Sequence, residues 1–418
     1  MTLDKLAEVR TQDLHTISEE DLRILPAMVS WFNPLLLLKL LKPVIISQLF
    51  GEYADRRLIH AALDPKSDKE VISRAKKVIS RVGVDDENSG TPVWFDYVSD
   101  LGDGFDATYA IAYLIGQPSL QVDGHELPRG SLVVMGGDEV YPYATTSDYV
   151  LRTRHPYGFA LPFAQQISNH PLVMAIPGNH DWYDGLARFL AIFCRKESTP
   201  IGGWRTYQRR SYFAIRLSKD WWLWGIDIAL IEDMDQPQKE YFTTIASEMQ
   251  DANLILCSSE PGWYNAAPNS ESFQSLGYAA WIAKKAKKNI KIALCLSGDT
   301  HHYARYSTDF GTEFMTAGGG GAFLHGTHQL PPKLTLDWFT HQDSTASLVK
   351  EKSDGTKYSA CYPDKCTSWC LLFRNLWFPL TNPEFSIALG VFYFLAGCGL
   401  VAWPGWDSRI LGRGLISA

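Results

Sequence analysis

Five apolar runs in this chain each end in a turn that carries acidic, amide or histidine side chains, and this alternation restricts the fold more than any other feature. The runs are residues 93–95, 132–135, 172–176, 254–257 and 292–296. Short apolar runs bounded by glycine-containing turns predict buried strands. Because such strands end at a rigid sheet edge, the polar side chains that follow them can converge on one site.

The five polar clusters contain side chains that bind metal ions. They are Ser99-Asp100-Leu101-Gly102, Gly137-Asp138-Glu139-Val140-Tyr141, Gly178-Asn179-His180-Asp181, Ser259-Glu260-Pro261 and Gly298-Asp299-Thr300-His301. Carboxylate and amide oxygens together with neutral imidazole form a ligand set of intermediate hardness, which suits Mn, Fe or Zn. A carboxylate can bridge two cations, and Asp138 is the candidate for that position. Two ions roughly 3.5–4 Å apart would clamp a phosphoryl oxygen and activate a water molecule.

In this order the motifs resemble those of the calcineurin-like metallophosphoesterase superfamily. The family series runs Asp-x-His or Asp-x-Gly, Gly-Asp-x-x, Gly-Asn-His-Asp/Glu, a His near a Pro, and Gly-His-x-His. Residues 90 to 325, approximately, offer a counterpart to each motif. Gly102 in Asp-x-Gly and Tyr141 in Gly-Asp-x-x-Tyr are similar to the purple acid phosphatases within the superfamily. The resemblance implies an α/β fold, a four-layer sandwich in which helices flank two mixed β-sheets.

The resemblance also implies the ligands of a first metal ion, which come from the first, second and last clusters. They are Asp100, Asp138, Tyr141 and His301. For Tyr141 the alternative is a buried tyrosine that packs its ring and hydrogen-bonds its hydroxyl. In the family the His of Gly-Asn-His-Asp faces the scissile phosphate and binds no metal. His180 is therefore the expected general acid or charge stabiliser, and Asp181 is expected to orient its ring and raise its pKa.

For a second ion the resemblance implies Asp138, Asn179 and two histidines, but neither histidine is present. Ser259 or Glu260 stands at one position and Asp299 at the other. Asp299 is a competent oxygen ligand, and Glu260 would serve if its loop lets it reach inward. A carboxylate in place of imidazole makes the site harder and favours Mn or Mg over Zn, or leaves the second site weak. His302 could substitute, although neighbours in sequence usually point in opposite directions.

These residues predict a metal-dependent phosphoesterase that hydrolyses a phosphate mono- or diester with a metal-activated water at a dinuclear centre. Its cofactors would be two divalent or mixed-valence metal ions, and its substrate a phosphorylated small molecule or lipid. The loss of three family histidines favours an alternative, a membrane-tethered binding or scaffold protein on a degenerate phosphoesterase fold. The net charge of −7 argues against nucleic-acid binding through a basic surface.

A stretch near the carboxyl end predicts a transmembrane helix. Residues 385–403 contain no charged side chain. Their length of about 19 residues is enough for a helix to span a bilayer. Trp403 and Trp406 at one boundary resemble an aromatic belt. The alternative is a buried hairpin of core helices. The protein is accordingly predicted to lie at a membrane through a single carboxyl-terminal span.

The orientation of this span stays open. Arg409 and Arg413 follow the span and Arg374 precedes it, which weakly places the carboxyl terminus on the inner side. The sparse cysteines instead indicate reduced thiols and a catalytic domain that faces the cytoplasm.

The sequence predicts four parts. They are a helical N-terminal extension (1–85), the catalytic domain (86–330), an irregular connection (331–382), and a membrane anchor with its tail (383–418). In the extension, the Pro43-interrupted stretch 35–50 suits an amphipathic helical hairpin that packs on the domain or lies in a membrane interface. Residues 70–82 predict a further amphipathic helix. No secretory signal peptide is expected, and the glycine run 318–321 is expected to be a structural loop.

Overall fold

The computed structural model describes residues 25–50, 55–63, 67–81, 92–162, 170–230, 233–265, 271–285, 289–338, 341–348 and 360–402. The strands are, in chain order, β1 (Phe95–Val98), β2 (Ser119–Val122), β3 (His125–Pro128), β4 (Leu132–Met135), β5 (Leu172–Ala175), β6 (Pro200–Ile201), β7 (Trp204–Thr206), β8 (Phe213–Ser218), β9 (Trp221–Gly225), β10 (Ala252–Cys257), β11 (Ile290–Ser297), β12 (Tyr303–Thr308), β13 (Glu313–Ala317), β14 (Lys333–Trp338), β15 (His341–Leu348) and β16 (Cys361–Tyr362). The five apolar runs thus correspond to β1, β4, β5, β10 and β11, and β1 begins at the last residue of its run.

The helices alternate with these strands. They are α1 (Pro34–Phe50), α2 (Arg56–Leu63), α3 (Asp68–Arg81), α4 (Phe105–Gly116), α5 (Thr146–Asp148), α6 (His155–Ala160), α7 (Ala187–Phe193), α8 (Gln236–Glu248), α9 (Glu271–Lys285), α10 (Lys365–Phe373), α11 (Phe378–Thr381) and α12 (Pro383–Ala402). A π-helical turn, Tyr149–Arg154, joins α5 to α6, and 3₁₀ turns occupy Asp181–Asp184, Gly262–Asn265 and Arg374–Trp377. The helix α3 agrees with the amphipathic helix expected over residues 70–82.

Most of the strands form two mixed sheets, as predicted, and β2 and β3 form a separate two-stranded hairpin. The smaller sheet has the order β1-β4-β5-β7-β6, in which β6 alone among these strands runs antiparallel to its neighbour. The larger sheet has the order β14-β15-β12-β13-β11-β10-β9-β8, with β16 paired to β12. Its central strands β13, β11, β10 and β9 are parallel. The carboxyl ends of all five predicted strands therefore point to one end of the fold.

Three apolar cores separate four layers. One core lies between the two sheets and contains Leu132 and Val134 from β4 together with Ile215 and Ile255 from the larger sheet. A second core joins the outer face of the smaller sheet to α4, α6 and α7, and a third joins the outer face of the larger sheet to α3, α8 and α9. Burying one such aliphatic side chain contributes about 1.5–3 kcal/mol. These cores confirm the arrangement of helices, sheet, sheet and helices.

Two regular strands follow residue 330, where the sequence analysis predicts the end of the catalytic domain and an irregular connection. Strands β14 and β15 form an antiparallel hairpin that extends the larger sheet through pairing of β15 with β12. In β14 the side chains of Leu334, Leu336 and Trp338 are buried while those between them are exposed. This alternation is the pattern of a half-buried strand. The abundance of Pro, Thr, Lys and Asp around it concealed the period of two.

The apolar helix α1 is not amphipathic, contrary to the expectation. Its exposed residues are apolar on several sides, and they include Leu35 (68% exposed), Leu38 (66%) and Leu49 (63%). Among the side chains of this helix that the structure describes, Leu40 is the buried apolar one. A helix that is apolar around most of its circumference and exposed to water needs a further apolar environment.

The helix α12 is long and apolar enough to cross a membrane. Within the described part of the chain it is the one helix that meets this condition, over the window Pro383–Leu400, and none of that window is buried. The alternative of a buried hairpin of core helices therefore does not hold for this window. The predicted boundary residues Trp403, Trp406, Arg409 and Arg413 lie outside the described residues.

Candidate metal centre

The five polar clusters lie together at the carboxyl ends of β1, β4, β5, β10 and β11. Backbone hydrogen bonds join neighbouring clusters: Asp100 N donates to Gly137 O (3.0 Å), and Leu101 N donates to Asp138 O (2.9 Å). Within the larger sheet, Gly298 N donates to Ser259 O (3.0 Å). Across the two sheets, Asp299 N donates to Asp100 Oδ2 (3.0 Å). The side chains of these turns are thus held by the sheet edges and not by mobile loops.

Three of the candidate ligands adopt a left-handed backbone conformation. The φ angles are 62° at Asp100, 53° at Asp138 and 64° at Asp299. Non-glycine residues adopt this conformation rarely, at a cost of about 1–3 kcal/mol, and aspartate tolerates it better than most. Such strained positions concentrate at functional sites. The backbone of these three turns is therefore strained at the residues whose carboxylates point towards one site.

The hydroxyl of Tyr141 stands at the centre of the first predicted ligand set. It lies 3.1 Å from Asp100 Oδ1, 2.9 Å from Asp138 Oδ2 and 3.1 Å from His301 Nε2. His301 Nε2 is in turn 3.5 Å from Asp100 Oδ1. Within the described residues, His, Cys, Asp and Glu side chains alone form no group of three or more that could hold an ion. The tyrosine oxygen is therefore the group that completes this set.

This cluster has more acceptor atoms than protons. The Tyr141 hydroxyl carries one proton, which cannot serve two carboxylates and an imidazole at once. Burial, followed by the charge of Asp138, raises the pKa of Asp100 well above its usual value, and burial raises that of Asp138 to about 7. Ligands about 2.0–2.2 Å from one cation lie about 3 Å apart from one another. The donor set and its spacing fit a metal ion.

His301 is held in the form that binds metal. Its Nδ1 lies 2.8 Å from the carbonyl oxygen of Phe323, so Nδ1 carries the proton and Nε2 presents its lone pair to the cluster. His325 stacks on the ring at 4.4 Å between centroids. Burial, followed by the neighbouring His325, lowers the pKa of His301 to about 4. The imidazole is thus neutral at physiological pH.

The residues predicted for a second ion come from three turns near Asp138. Asp299 lies at the exposed rim of the cluster, where partial desolvation, followed by the charge of Asp138, raises its pKa to about 6, and His180 opposes this effect. Asn179 is exposed in the turn after β5. Ser259 lies against the turn of Asp138, because a Cβ atom added to Gly137 would be 2.9 Å from Ser259 Cβ. Of the two candidates Ser259 and Glu260, Ser259 is therefore the one that lies against the turn of Asp138.

The other two candidates for the second ion have different surroundings. The hydrogen bonds described for Glu260 use its main-chain carbonyl, which accepts from Ser258 Oγ (3.0 Å) and Gly262 N (3.1 Å). Its role as a ligand stays a prediction. His302 is buried, and its Nε2 lies 3.2 Å from Tyr264 Oη. Its ring thus engages a different part of the larger sheet, as the alternation of neighbouring residues suggested.

The ring of His180 is oriented by a backbone carbonyl, whereas the sequence analysis expected Asp181 to orient it. His180 Nδ1 lies 3.2 Å from the carbonyl oxygen of Pro142, which fixes the tautomer with the proton on Nδ1. The ring packs against Tyr141 (4.4 Å between centroids) and Tyr183 (4.7 Å). Burial in these aromatic surroundings lowers the pKa of His180 to about 4, although the charge of Asp181 acts in the opposite direction.

Asp181 instead joins two of the turns that carry candidate ligands. Its buried carboxylate accepts hydrogen bonds from Gly178 N (2.9 Å), from Glu139 N (3.3 Å) and from the hydroxyl of Tyr149. Glu139 is also fully buried, and burial together with the charge of Asp181 raises its pKa well above the usual value. Burial and the charge of Asp181 thus both favour the neutral form of Glu139. The position of Glu139 next to Asp138 was the signal in the sequence for this pair.

Asp103 and the segment of residues 26–33, here called the strap, were missed by the sequence analysis. Asp103 is fully buried and accepts hydrogen bonds at Oδ1 from Trp31 Nε1 (3.0 Å) and Val29 N (3.2 Å). Its Oδ2 accepts from Phe323 N (3.1 Å). Trp31 is thereby held with its ring 5.7 Å from those of both Tyr141 and His180. The strap is remote in sequence and carries no motif, so nothing in the sequence indicated it.

The glycine run 318–321 is a loop that lies directly on the backbone of the first cluster, in line with the expected structural role. Gly320 N donates to Ser99 O (2.8 Å), and Ala322 N donates to Asp100 O (3.0 Å). A Cβ atom on Gly320 would overlap the carbonyl oxygen of Ser99, whereas one on Gly319 would meet nothing within 4 Å. A side chain at position 320 is therefore excluded by this close approach.

Comparison with known proteins agrees with this arrangement of motifs. The model of the calcineurin-like phosphoesterase family matches residues 94–303. A comparison with curated protein sequences gave no match.

Three solved structures resemble the chain at low identity. Purple acid phosphatase PPD1 from seeds of yellow lupin (Lupinus luteus) is 14% identical, with a TM-score of 0.38 and coverage of 65% of this chain and 54% of that chain. PhoD is 12% identical, with a TM-score of 0.36 and coverage of 56% and 58%. A dimetal phosphatase from Danio rerio is 10% identical, with a TM-score of 0.35 and coverage of 55% and 89%. The chain spans little more than half of the first two proteins. On the family match over residues 94–303, the chain belongs to the calcineurin-like phosphoesterase family.

Proposed function

We propose that this chain is a metal-dependent phosphoesterase that hydrolyses a phosphate mono- or diester at a dinuclear metal centre. The observation that carries the proposal is the convergence of Asp100, Asp138 and His301 within 3.1 Å of the Tyr141 hydroxyl. These four side chains would hold the first ion. A cation there supplies a Lewis acid that activates water and neutralises charge on the phosphoryl oxygens.

A second ion would share the carboxylate of Asp138, which is 4% exposed. Asp299 and Asn179, in the turns after β11 and β5, are oxygen donors open to solvent and would complete its ligands. The set is richer in carboxylate than its family counterpart, which favours Mn or Mg over Zn. Ser259 beside Asp138 is a weak donor where the family has histidine. This position is the observation that favours the alternative function, a binding or scaffold protein with weak metal affinity.

The side chains around the metal ligands prepare the site for an anionic substrate. His180 presents its Nε2 to the substrate because its Nδ1 is bound to the carbonyl of Pro142. Since burial lowers the pKa of His180 to about 4, the free site holds a neutral ring. A bound phosphate anion would raise that pKa, so His180 could then stabilise charge or protonate the leaving oxygen. Asp181 would keep the turns of Asp138 and His180 at a fixed separation.

We further propose that α12 anchors the domain in a membrane. Its window Pro383–Leu400 has the length and composition of a span and no buried residue. Of the three arginines used to predict the orientation, only Arg374 belongs to the part of the chain that the structure describes. The cytoplasmic position of the catalytic domain therefore stays a prediction.

The proposal is tested by hydrolysis of aryl phosphate mono- and diesters by metal-stripped full chain titrated with Mn, Fe, Zn or Mg. Turnover is expected with at least one of these ions, together with binding of up to two ions per chain. Asp138→Asn should lose the turnover and most of the binding. Asp123→Asn is the matched control, because Asp123 is exposed in a hairpin and also has a left-handed backbone (φ 50°). Absence of binding and turnover in the folded chain would favour the scaffold.

A further inference from the structure

The strap forms one wall of the candidate metal centre. Trp31 contacts the two aromatic rings nearest to the centre, at 5.7 Å from both Tyr141 and His180. Phe323 extends the same wall at 6.1 Å from Trp31, and it is 40% exposed. A half-buried apolar wall beside a cluster of charged ligands suits a substrate that has a phosphate at one end and an apolar body at the other.

The two residues after Trp31 connect this wall to both apolar helices. Phe32 packs edge-on against Phe378 (4.7 Å) and Phe385 (5.6 Å), which lie at the beginning of α11 and α12. Asn33 caps α1, since its Oδ1 accepts from Leu35 N (2.9 Å), and its Nδ2 donates to Glu384 (3.3 Å). Three consecutive residues span at most about 7 Å. The centre and the origins of α1 and α12 therefore lie side by side.

The surface around these origins has the composition of a membrane interface. The segment that carries Phe378 also exposes Leu376 (78% exposed), Trp377 (63%) and Leu380 (73%). On α1 the exposed leucines alternate with two exposed lysines, Lys39 and Lys42. Apolar side chains would enter the acyl region, tryptophan would lie at the headgroup level, and lysines would contact lipid phosphates. The pattern fits a lipid bilayer and not a second protein, because α12 alone supplies a full membrane thickness of exposed apolar surface.

We propose that the substrate is a phosphoester carried by a membrane lipid, and that Trp31 forms the wall against which the lipid-side alcohol packs during hydrolysis. This inference rests on the proposed phosphoesterase function and adds its substrate class. With α12 in the bilayer, the centre opens at the headgroup level beside the strap. A lipid headgroup then reaches the ligands without leaving the membrane, whereas a soluble ester gains nothing from the apolar wall.

The test compares the same ester in a vesicle and in solution. The full chain is reconstituted with Mn²⁺ in phosphatidylcholine vesicles that contain phosphatidic acid or phosphatidylglycerol. The soluble counterparts are glycerol 3-phosphate and glycerophosphoglycerol, and an aryl phosphate reports the basic chemistry. For at least one pair, kcat/KM for the vesicle-borne ester should exceed that for the soluble ester by on the order of tenfold.

Variants of Trp31 show whether the wall is responsible. Trp31→Ala should reduce the vesicle-to-solution ratio to about one, and Trp31→Phe should retain most of it because the aromatic surface remains. Trp281→Ala is the matched control: Trp281 is similarly exposed (38%) but lies on α9, on the outer face of the larger sheet. Thermal unfolding of each variant checks that it is folded.

The outcomes separate the two proposals. Hydrolysis of the aryl ester without preference for either lipid would overturn the lipid inference and leave the phosphoesterase intact. A preference that survives in Trp31→Ala would overturn the role of the wall. Absence of metal-dependent hydrolysis of every ester would remove the phosphoesterase and the lipid inference together.

A second measurement needs no turnover. The variant Ser30→Cys introduces a thiol at an exposed position of the strap, and a polarity-sensitive fluorophore is attached to it. The other exposed cysteines, Cys366, Cys370 and Cys398, are first replaced by serine so that they do not react. On reconstitution its emission should shift to the blue and be quenched by a lipid-borne quencher. The same label at Asp123, in the β2–β3 turn, should remain in water. Equal behaviour of the two positions would place the strap away from the bilayer and overturn the inference.

Discussion

Replacement of Arg57 by methionine should destabilise the protein strongly, because Arg57 is the centre of a buried ion-pair network. Its side chain is 1% exposed. Three contacts of 2.9–3.1 Å join it to the carboxylate of Asp55, and Nη1 donates to the carbonyl of Asp227 at 2.9 Å. The guanidinium also lies 5.2 Å from the ring centroid of Trp182. Because Trp182 follows Asp181, the network links α2 of the N-terminal extension to the candidate centre.

The magnitude follows from what remains after the substitution. The Asp227 carboxylate is fully buried and lies 3.8 Å from Arg57 Nη1. Without Arg57 it would keep hydrogen bonds only from neutral groups, Ser211 Oγ (2.5 Å) and Trp182 Nε1 (3.3 Å). Removal of one partner from a buried ion pair costs about 3–5 kcal/mol, because the other charge is left uncompensated. Methionine preserves much of the apolar volume, so loss of packing contributes little to this value.

Urea-induced unfolding of the full chain in detergent measures this effect. The matched control is Lys76→Met, since Lys76 and Glu248 are also 2.9 Å apart but both are 38% exposed. Exposed pairs contribute about 0–1 kcal/mol. The reasoning is that burial, and not the distance between the charges, determines how much an ion pair contributes to the free energy of unfolding. A loss of unfolding free energy below about 1 kcal/mol for Arg57→Met, equal to that of the control, would refute it.

The pH dependence supplies an independent test of the same network. Burial raises the pKa of Asp227 from 3.8 to about 6, and the charge of Arg57 opposes the shift. Between these values the native protein binds more protons than the unfolded chain, so this group lowers stability as pH rises. Without Arg57 the pKa of Asp227 rises further. Arg57→Met should therefore cost less at about pH 5 than at about pH 7, and Asp227→Asn in the Arg57→Met background should recover part of the loss.

Three further substitutions test the candidate centre. Tyr141→Phe should weaken metal binding at least about tenfold in a chelator competition, since the shared oxygen is lost, and unchanged affinity would show that Tyr141 only packs. Gly320→Ala should lower the urea midpoint and metal affinity because its Cβ would overlap Ser99 O, whereas Gly319→Ala, which meets no atom within 4 Å, should change neither. Asp181→Asn should lower the free energy of unfolding by about 1–3 kcal/mol and reduce turnover, because an amide can accept fewer of the hydrogen bonds now accepted by the carboxylate. Unchanged stability and turnover would contradict the role of Asp181 as the link between turns.

The sheet-edge part of the fold was predictable because it depends on local pattern. Apolar runs followed by glycine turns located β4, β5, β10 and β11, and the order of the motifs indicated which side chains share a site. The first ligand set needed no knowledge of distant contacts beyond the common edge of parallel strands. Its residues are the ones that the structure brings to the Tyr141 hydroxyl.

The remaining features depend on contacts that a local pattern does not contain. The partner of the His180 ring is a backbone carbonyl at Pro142, which has no signature in the side-chain sequence. The strap reaches the centre through Asp103, more than 70 positions away in the chain. The hairpin of β14 and β15 does have a local pattern, alternating burial, but its polar composition resembled that of a loop. Tertiary contacts therefore decided the points at which the sequence analysis failed.

The contact between the origins of the two apolar helices has a consequence for biosynthesis. Asn33 and Glu384 are 351 positions apart. At about 5–20 residues per second, a ribosome needs about 20–70 s to add that length of chain. During this time α1 is already synthesised, and its leucines lack the helix beside which they finally lie. An early contact of α1 with a membrane surface or a chaperone would cover these leucines while the catalytic domain is being made, and the strap acquires its second anchor only after α12 has been synthesised.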